Sequence, residues 1–247
     1  MMQAMKTLRA AIILWLAGLV TPAFAACEKT NFEDIKYTAC EVALGQDLRL
    51  FLKNDQGDIL GTFGAANGQL PEGKKLAFAM NAGMFHQDRN PVGLYIENEQ
   101  QLTSLEHGGG YGNFGLSPNG VFCISKSELQ VYTSEDYEAK RPSCQFATQS
   151  GPMLVIDNEL HPRLIPNGSS KHYRNGVGTS ADGKRAVFVI SDQRVNFHDF
   201  ARFFRDDLGL PNALFFDGKI SRLYSPANSR NDLGFPMGPM VGLVVDR

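Results

Sequence analysis

Apolar and polar residues alternate with a period of two along much of the chain. Within residues 47–53 (DLRLFLK), Leu48, Leu50 and Leu52 share one face, as in a half-buried strand. Residues 76–80 form a short apolar strand that runs into Asn81-Ala82-Gly83-Met84-Phe85. Residues 92–97 and 101–105 read as a hairpin, residues 120–124 and 129–133 as a second, and residues 153–156 with the segment beyond Asp157-Asn158 as a third. A buried strand is expected at 185–191 (RAVFVIS), entered from an Asp182-Gly183 turn, with further strands at 213–216 and 241–245. The period then changes: Phe197, Phe200, Ala201, Phe204 and Leu208 recur at helical spacing. Asn196 stands where a cap belongs, Asp199 in the first turn, and Gly209 and Pro211 end the run. A second short helix is expected near 134–139, while residues 171–178 read as irregular. No repeat or linker interrupts the pattern. It predicts one α+β domain over residues 26–247, with a strand-rich mixed or antiparallel sheet and one or more packed helices.

The N-terminus departs from this pattern. Lys6 and Arg9 precede an apolar run, residues 10–20, that is too short to span a bilayer, where about 20 apolar residues are needed. Thr21-Pro22 breaks the run, and Ala23-Phe24-Ala25 has the small-x-small form of a cleavage site. Residues 1–25 therefore read as a cleavable signal peptide, and the mature protein as periplasmic or secreted, with no stable membrane insertion. A lipoprotein anchored through Cys27 is the second reading; Phe24 stands where that signal usually has a small branched aliphatic residue. All four cysteines (Cys27, Cys40, Cys123 and Cys144) lie beyond the signal, an even number suited to two disulfides in an oxidising compartment. Three pairings are possible, of which Cys27–Cys40 with Cys123–Cys144 closes the shortest loops. The 247 residues carry 24 Lys and Arg against 26 Asp and Glu, a net charge of −2. Removal of Lys6 and Arg9 makes the mature chain more acidic, so it has no overall attraction for nucleic acid or anionic membranes. An anionic ligand has to be held by a local basic cluster.

The chain contains no nucleophile elbow, zincin motif or P-loop. His107-Gly108-Gly109-Gly110 resembles a lipase oxyanion loop, but without the elbow it reads as a flexible glycine-rich loop; an esterase built on it is the third functional reading. The five histidines show no metal-ligand spacing, and neither metal nor cofactor is expected. Four segments share a different layout, in which polar residues and glycine follow the end of an apolar stretch. They are Asn81-Ala82-Gly83-Met84-Phe85, Ser150-Gly151-Pro152, Arg174-Asn175-Gly176-Val177-Gly178 and Asp217-Gly218-Lys219-Ile220-Ser221. Glycine lets backbone come close to a ligand, while a strand end holds a side chain rigidly. Arg174 is the residue type that grips phosphate in a two-pronged way.

Together and in this order, the segments resemble the phosphodiester glycosidase family, from about residue 76 to the C-terminus. Asn81, Gly83 and Phe85, then Gly151 and Pro152, Arg174 and Gly178, Asp192 and Arg194, and finally Asp217, Gly218 and Ser221 match the family pattern. Ala82, Met84 and Gln193 depart from it, and Lys219-Ile220 replaces a glycine-rich stretch. The resemblance implies a hydrolase that releases a sugar from a sugar 1-phosphodiester in a glycan or glycoconjugate. The alternative is a non-catalytic periplasmic protein that binds phosphorylated glycans. In the enzymatic reading Asp217, Arg174 and Asn81 are catalytic: Asp217 orients water or stabilises the reacting carbon, Arg174 neutralises phosphate, and the Asn81 amide positions substrate. Gly83, Ser150, Gly151, Asp192, Arg194, Gly218, Lys219 and Ser221 are the expected substrate contacts. The scattered Asn81, Arg174, Asp192 and Asp217 are expected to meet in one cleft.

Overall fold

Seventeen strands among the described residues gather into three sheets, and every pairing is antiparallel. The computed structural model describes residues 27–108 and 112–247; the signal-peptide reading of residues 1–25, together with Gly109 and Gly110 of the glycine stretch, lies outside them. The first sheet runs Cys27–Phe32, Ile35–Ala43, Arg185–Ser191, Asn175–Thr179, Asn212–Asp217, Met153–Ile156, Glu159–Leu160. The second runs Arg230–Asn231, Leu223–Ser225, Lys74–Asn81, Met240–Asp246, Asp47–Phe51, and the third Gln100–Thr103, Tyr95–Glu97, Phe146–Ser150, Gly120–Ile124, Leu129–Thr133.

The alternation of side chains explains how three sheets share one core. Ala186, Phe188 and Ile190 point inward with Phe78 and Met80 from the second sheet and Phe122 from the third, and the Phe188 ring lies 5.5 Å from those of both Phe78 and Phe122. Val187 and Val189, on the opposite face of the same strand, join the cluster beneath the helix Phe197–Arg202. The outer face of the second sheet is covered by the helix Phe63–Gly68, whose Phe63 and Ala66 pack with Leu76, Ala79 and Met240. The helix Ser134–Lys140 lies against the outer cluster of the third sheet through Tyr137.

The expected helix is present, with Asn196 Oδ1 accepting the Asp199 N–H at 2.8 Å, but it continues as a wider π-helical turn over Phe203–Asp207. That turn adds Phe203 to the buried face, where it stacks on Tyr37 at 4.1 Å. The larger correction concerns residues 171–178. Asn175–Thr179 is a fully buried strand at the centre of the first sheet, not an irregular segment. Its glycines are a packing requirement: a Cβ on Gly176 would come within 2.4 Å of the Leu214 carbonyl oxygen. The disulfides join Cys27 to Cys40, directly opposite each other in the first hairpin, and Cys123 to Cys144.

Candidate active site

Antiparallel pairing sets Asn175 opposite both Ile190 and Asp217, so one end of the first sheet carries Arg174, Asp217 and Ser191 together. The second sheet is tied to that end by side chains. Asn81 Nδ2 donates to Asn175 Oδ1 at 3.1 Å, and Asn175 Nδ2 donates to the Asn81 carbonyl at 2.7 Å. Asn81 Oδ1 accepts the Arg222 N–H at 2.9 Å. Ser221 Oγ lies 2.6 Å from the Asp217 carbonyl, 3.1 Å from that of Tyr173 and 3.2 Å from Asn175 Oδ1. A buried amide pair thus bolts the loop that follows Asp217 to the end of Lys74–Asn81.

Arg174 is the largest fully buried side chain of the described residues, 1% exposed. Its Nε donates to the Val195 carbonyl at 2.9 Å and its Nη2 to the Ser170 carbonyl at 3.0 Å, while the guanidinium carbon sits 3.5 Å from the centre of the Phe197 ring. Among the described residues no carboxylate lies within ion-pair distance of it. Burial pushes its pKa down to about 10, which still leaves it charged at neutral pH. Buried charges ordinarily have a charged partner, so a cation held by carbonyls and aromatic faces is an unusual arrangement. The remaining nitrogen, Nη1, turns toward Gly218, where a Cβ would meet it at 3.4 Å. Gly218 lines a depression of about 340 Å³ with His172, Tyr173, Arg194, Lys219 and Ser221. Arg194 and Lys219 thus bring two cations to the depression.

Asp217 ends its strand with one carboxylate oxygen in a turn. Oδ1 accepts the N–H of Lys219 at 2.6 Å and of Ile220 at 3.3 Å, and no donor is assigned to Oδ2. Burial raises its pKa above the ordinary aspartate range, and the turn N–H groups oppose that rise without cancelling it.

The other sequence-selected residues divide by position. Gly218, Lys219, Ser221 and Arg194 surround the depression. Asn81 lies beside it, but its amide is engaged inside the protein as described above. Ser150 is buried and donates to the Phe216 carbonyl at 2.9 Å, bracing the strand behind Asp217. Gly151 presses on Asn119, whose Oδ1 would lie 1.7 Å from a Cβ there, and Gly83, at φ 156°, packs against Thr148. Asp192 is not gathered with Arg174. It pairs with Arg230 at 2.6 Å, accepts from Thr38 Oγ1 at 2.7 Å, and lines a separate groove beside Lys36 and Asn228. His172, Asn175 and Arg222 were not selected from the sequence. Asn175 was the one carrying a signal, as a polar residue wedged between Arg174 and Gly176.

Related proteins sharpen this picture. The chain is 33% identical over 234 residues to the uncharacterised protein YigE of Escherichia coli (strain K12), covering 93% of this chain and 91% of that one. Its fold is similar to the catalytic domain of zebrafish N-acetylglucosamine-1-phosphodiester alpha-N-acetylglucosaminidase auto-inhibited by pro-peptide, with a TM-score of 0.61 at 14% identity, covering 88% of this chain and 81% of that one. It is also similar to a putative exported protein of Burkholderia pseudomallei, with a TM-score of 0.52 at 10% identity, covering 85% and 74% respectively. The sequence pattern of the phosphodiester glycosidases matches residues 74–232, a stretch holding every residue around the depression, and on that match the chain belongs to the phosphodiester glycosidase family.

Proposed function

We propose that the chain is an exported hydrolase that cleaves the bond between a sugar's anomeric carbon and the oxygen of a phosphodiester. The observation that carries this reading is the buried Arg174, without a carboxylate in ion-pair distance, whose Nη1 lies behind the Gly218 that lines the depression. Ordinary glycosidases use two carboxylates, one of which protonates a poor leaving group. A phosphate monoester has a second pKa of about 6 and departs as an anion without that help. In the proposed reaction Arg174, with Lys219 and Arg194, neutralises the phosphate, and the carbon–oxygen electron pair leaves with it. Water adds to the anomeric carbon, and Asp217 Oδ2 accepts the proton that water gives up. The raised pKa of Asp217 makes it a stronger base than an exposed aspartate. Asn81 and Asn175 act as positioning residues that fix the Asp217–Ser221 loop. Residues 26–247 are read as one domain working outside the cytoplasm. Two disulfides, the signal pattern and the putative exported protein of Burkholderia pseudomallei with a similar fold support that location.

The experiment compares a sugar 1-phosphodiester with an alkyl glycoside of the same sugar. The diester is expected to be hydrolysed and the alkyl glycoside scarcely touched. Arg174→Lys keeps the charge but loses the planar fork and should lower kcat/KM about ten- to a hundred-fold, the worth of a buried charge-assisted hydrogen bond made in the transition state. Equal rates on both substrates would remove phosphate from the reading, and tight binding of the diester without turnover would make the chain a binding protein.

A further inference from the structure

Tyr173 is 50% exposed and lines the depression with Arg194, Gly218 and Lys219. Its backbone, by contrast, is held on both sides and at its own carbonyl. His172 exchanges backbone hydrogen bonds with Val195 at 3.1 and 2.9 Å, and the Arg174 N–H donates to Ser191 Oγ at 2.9 Å. Ser221 Oγ lies 3.1 Å from the Tyr173 carbonyl. Folding therefore fixes where the side chain starts and leaves half of the residue in water. A tyrosine has only two side-chain torsions, so a ring mounted on a rigid backbone loses little freedom when a ligand covers it. Two phenylalanines at the site are already engaged: Phe197 carries the Arg174 guanidinium at 3.5 Å, and Phe215 is fully buried against Gly218. Among the described residues Tyr173 is the one phenyl ring that lines the depression.

The company of that ring identifies what covers it. The other lining residues are polar or charged apart from Gly218, and Arg194 and Lys219 suit a phosphate. A ligand that fits all of them has an anion, hydroxyl groups and a flat apolar face. A pyranose 1-phosphate has the three together, because its ring C–H bonds form a face while its hydroxyls project from the edge. Those C–H bonds are slightly positive and meet the negative face of an aromatic ring. The depression, about 340 Å³, stands at the low end of the roughly 300–1,000 Å³ of small-molecule sites, room for one sugar and its phosphate rather than a long conjugate. We infer that Tyr173 is the platform on which the sugar ring stacks, and that the site selects a single terminal sugar while the alcohol of the diester stays outside. The second part rests on the phosphodiester reading; the platform does not.

Binding separates sugar from phosphate without turnover. Calorimetry on the wild-type chain should show a 1-phosphate of glucose, galactose, mannose or one of their 2-acetamido counterparts binding more tightly than inorganic phosphate. Tyr173→Ala should weaken that sugar phosphate by about three- to tenfold, the worth of an aromatic stacking contact. Its affinity for inorganic phosphate should be unchanged, which also shows that the variant is folded. Tyr173→Phe keeps the ring and should bind as wild type does. In turnover the alanine variant should lose through KM rather than kcat, to the same degree for methyl and octyl diesters of that sugar. The proposal is overturned if no sugar phosphate outbinds inorganic phosphate, or if the alanine variant loses both equally. A loss that grows from the methyl to the octyl diester would overturn it too, by assigning the ring to the alcohol. Selective binding that depends on Tyr173, without hydrolysis of any diester, would leave the platform intact and discard the hydrolase reading.

Discussion

Arg174 and Asp217 are opposite charges at neighbouring strand ends that do not neutralise each other. Each carries a penalty from burial, which shows in the lowered pKa of the arginine and the raised pKa of the aspartate. For Asp217 the sign is definite. Its folded pKa lies above the unfolded value of 3.8, so between those two values the folded protein holds a proton that the unfolded chain does not, and stability falls as pH rises through that window. Above the window wild type carries the whole penalty. Asp217→Asn keeps an oxygen for the Lys219 and Ile220 N–H groups and removes the charge. The variant is expected to melt at a higher temperature than wild type at pH 7, with the difference vanishing below about pH 4, while its diester hydrolysis falls further than that of Arg174→Lys. Calorimetry across pH with parallel turnover assays checks both; a destabilised Asn variant at pH 7 would show that the carboxylate is structural. Arg174, Asp217, Lys219 and Ser221 stood out in the sequence as charged or polar groups near glycine at strand ends. The closure of the Asn81 amide on Asn175 was not readable there, because an amide that reaches outward and one that closes on a neighbour look alike until the partner strand is known.

Glycines separate two kinds of element. Gly64 is the second residue of the helix Phe63–Gly68, with nothing within 4 Å of a Cβ, whereas Gly176 sits in the central strand against the Leu214 carbonyl. Gly64→Ala is expected to stabilise by about 0.5–1 kcal/mol, from helix propensity alone. Gly176→Ala should cost about 1–3 kcal/mol, because the obstacle is backbone and cannot swing aside. It should also slow turnover per folded molecule, since the same strand sets Asn175 opposite Asp217. Urea midpoints for the two variants provide the test, and similar changes in both would refute the packing argument. The same contrast explains which strands the sequence reveals. Gly120–Ile124, Leu129–Thr133 and Arg185–Ser191 lie where the pattern placed them. Phe146–Ser150 and Asn175–Thr179 are fully buried, yet Thr, Gln, Ser, Asn and Gly outnumber the apolar Phe146, Ala147 and Val177 in them. Their polar groups are satisfied internally, as when Gln149 Oε1 accepts the N–H groups of Leu94 and Glu106, so burial left no hydrophobic alternation to read. The first hairpin turns at Glu33-Asp34, both with positive φ, without the glycine or asparagine that usually betrays such a turn.

The two disulfides span 13 and 21 residues, one at the edge of the first sheet and the other behind the third. Loop closure of that size is worth about 3 kcal/mol. Replacing Cys123 and Cys144 together by serine should lower stability by about 2–4 kcal/mol, measured by denaturant unfolding. Intact mass under non-reducing conditions should match a chain starting at Ala26 with all four cysteines oxidised; four alkylatable thiols would contradict the oxidising compartment. The three-sheet arrangement itself was beyond the reach of the sequence, because nothing in a strand's composition says which of three sheets it joins. One of its features bears on how the fold is assembled. Met240–Asp246, which follows the other described strands in chain order, is an inner strand of the second sheet, between Lys74–Asn81 and Asp47–Phe51. Until that strand is in place Lys74–Asn81 and Asp47–Phe51 have no common neighbour, so the second sheet stays in two pieces and the core it shares with the other sheets is left ajar.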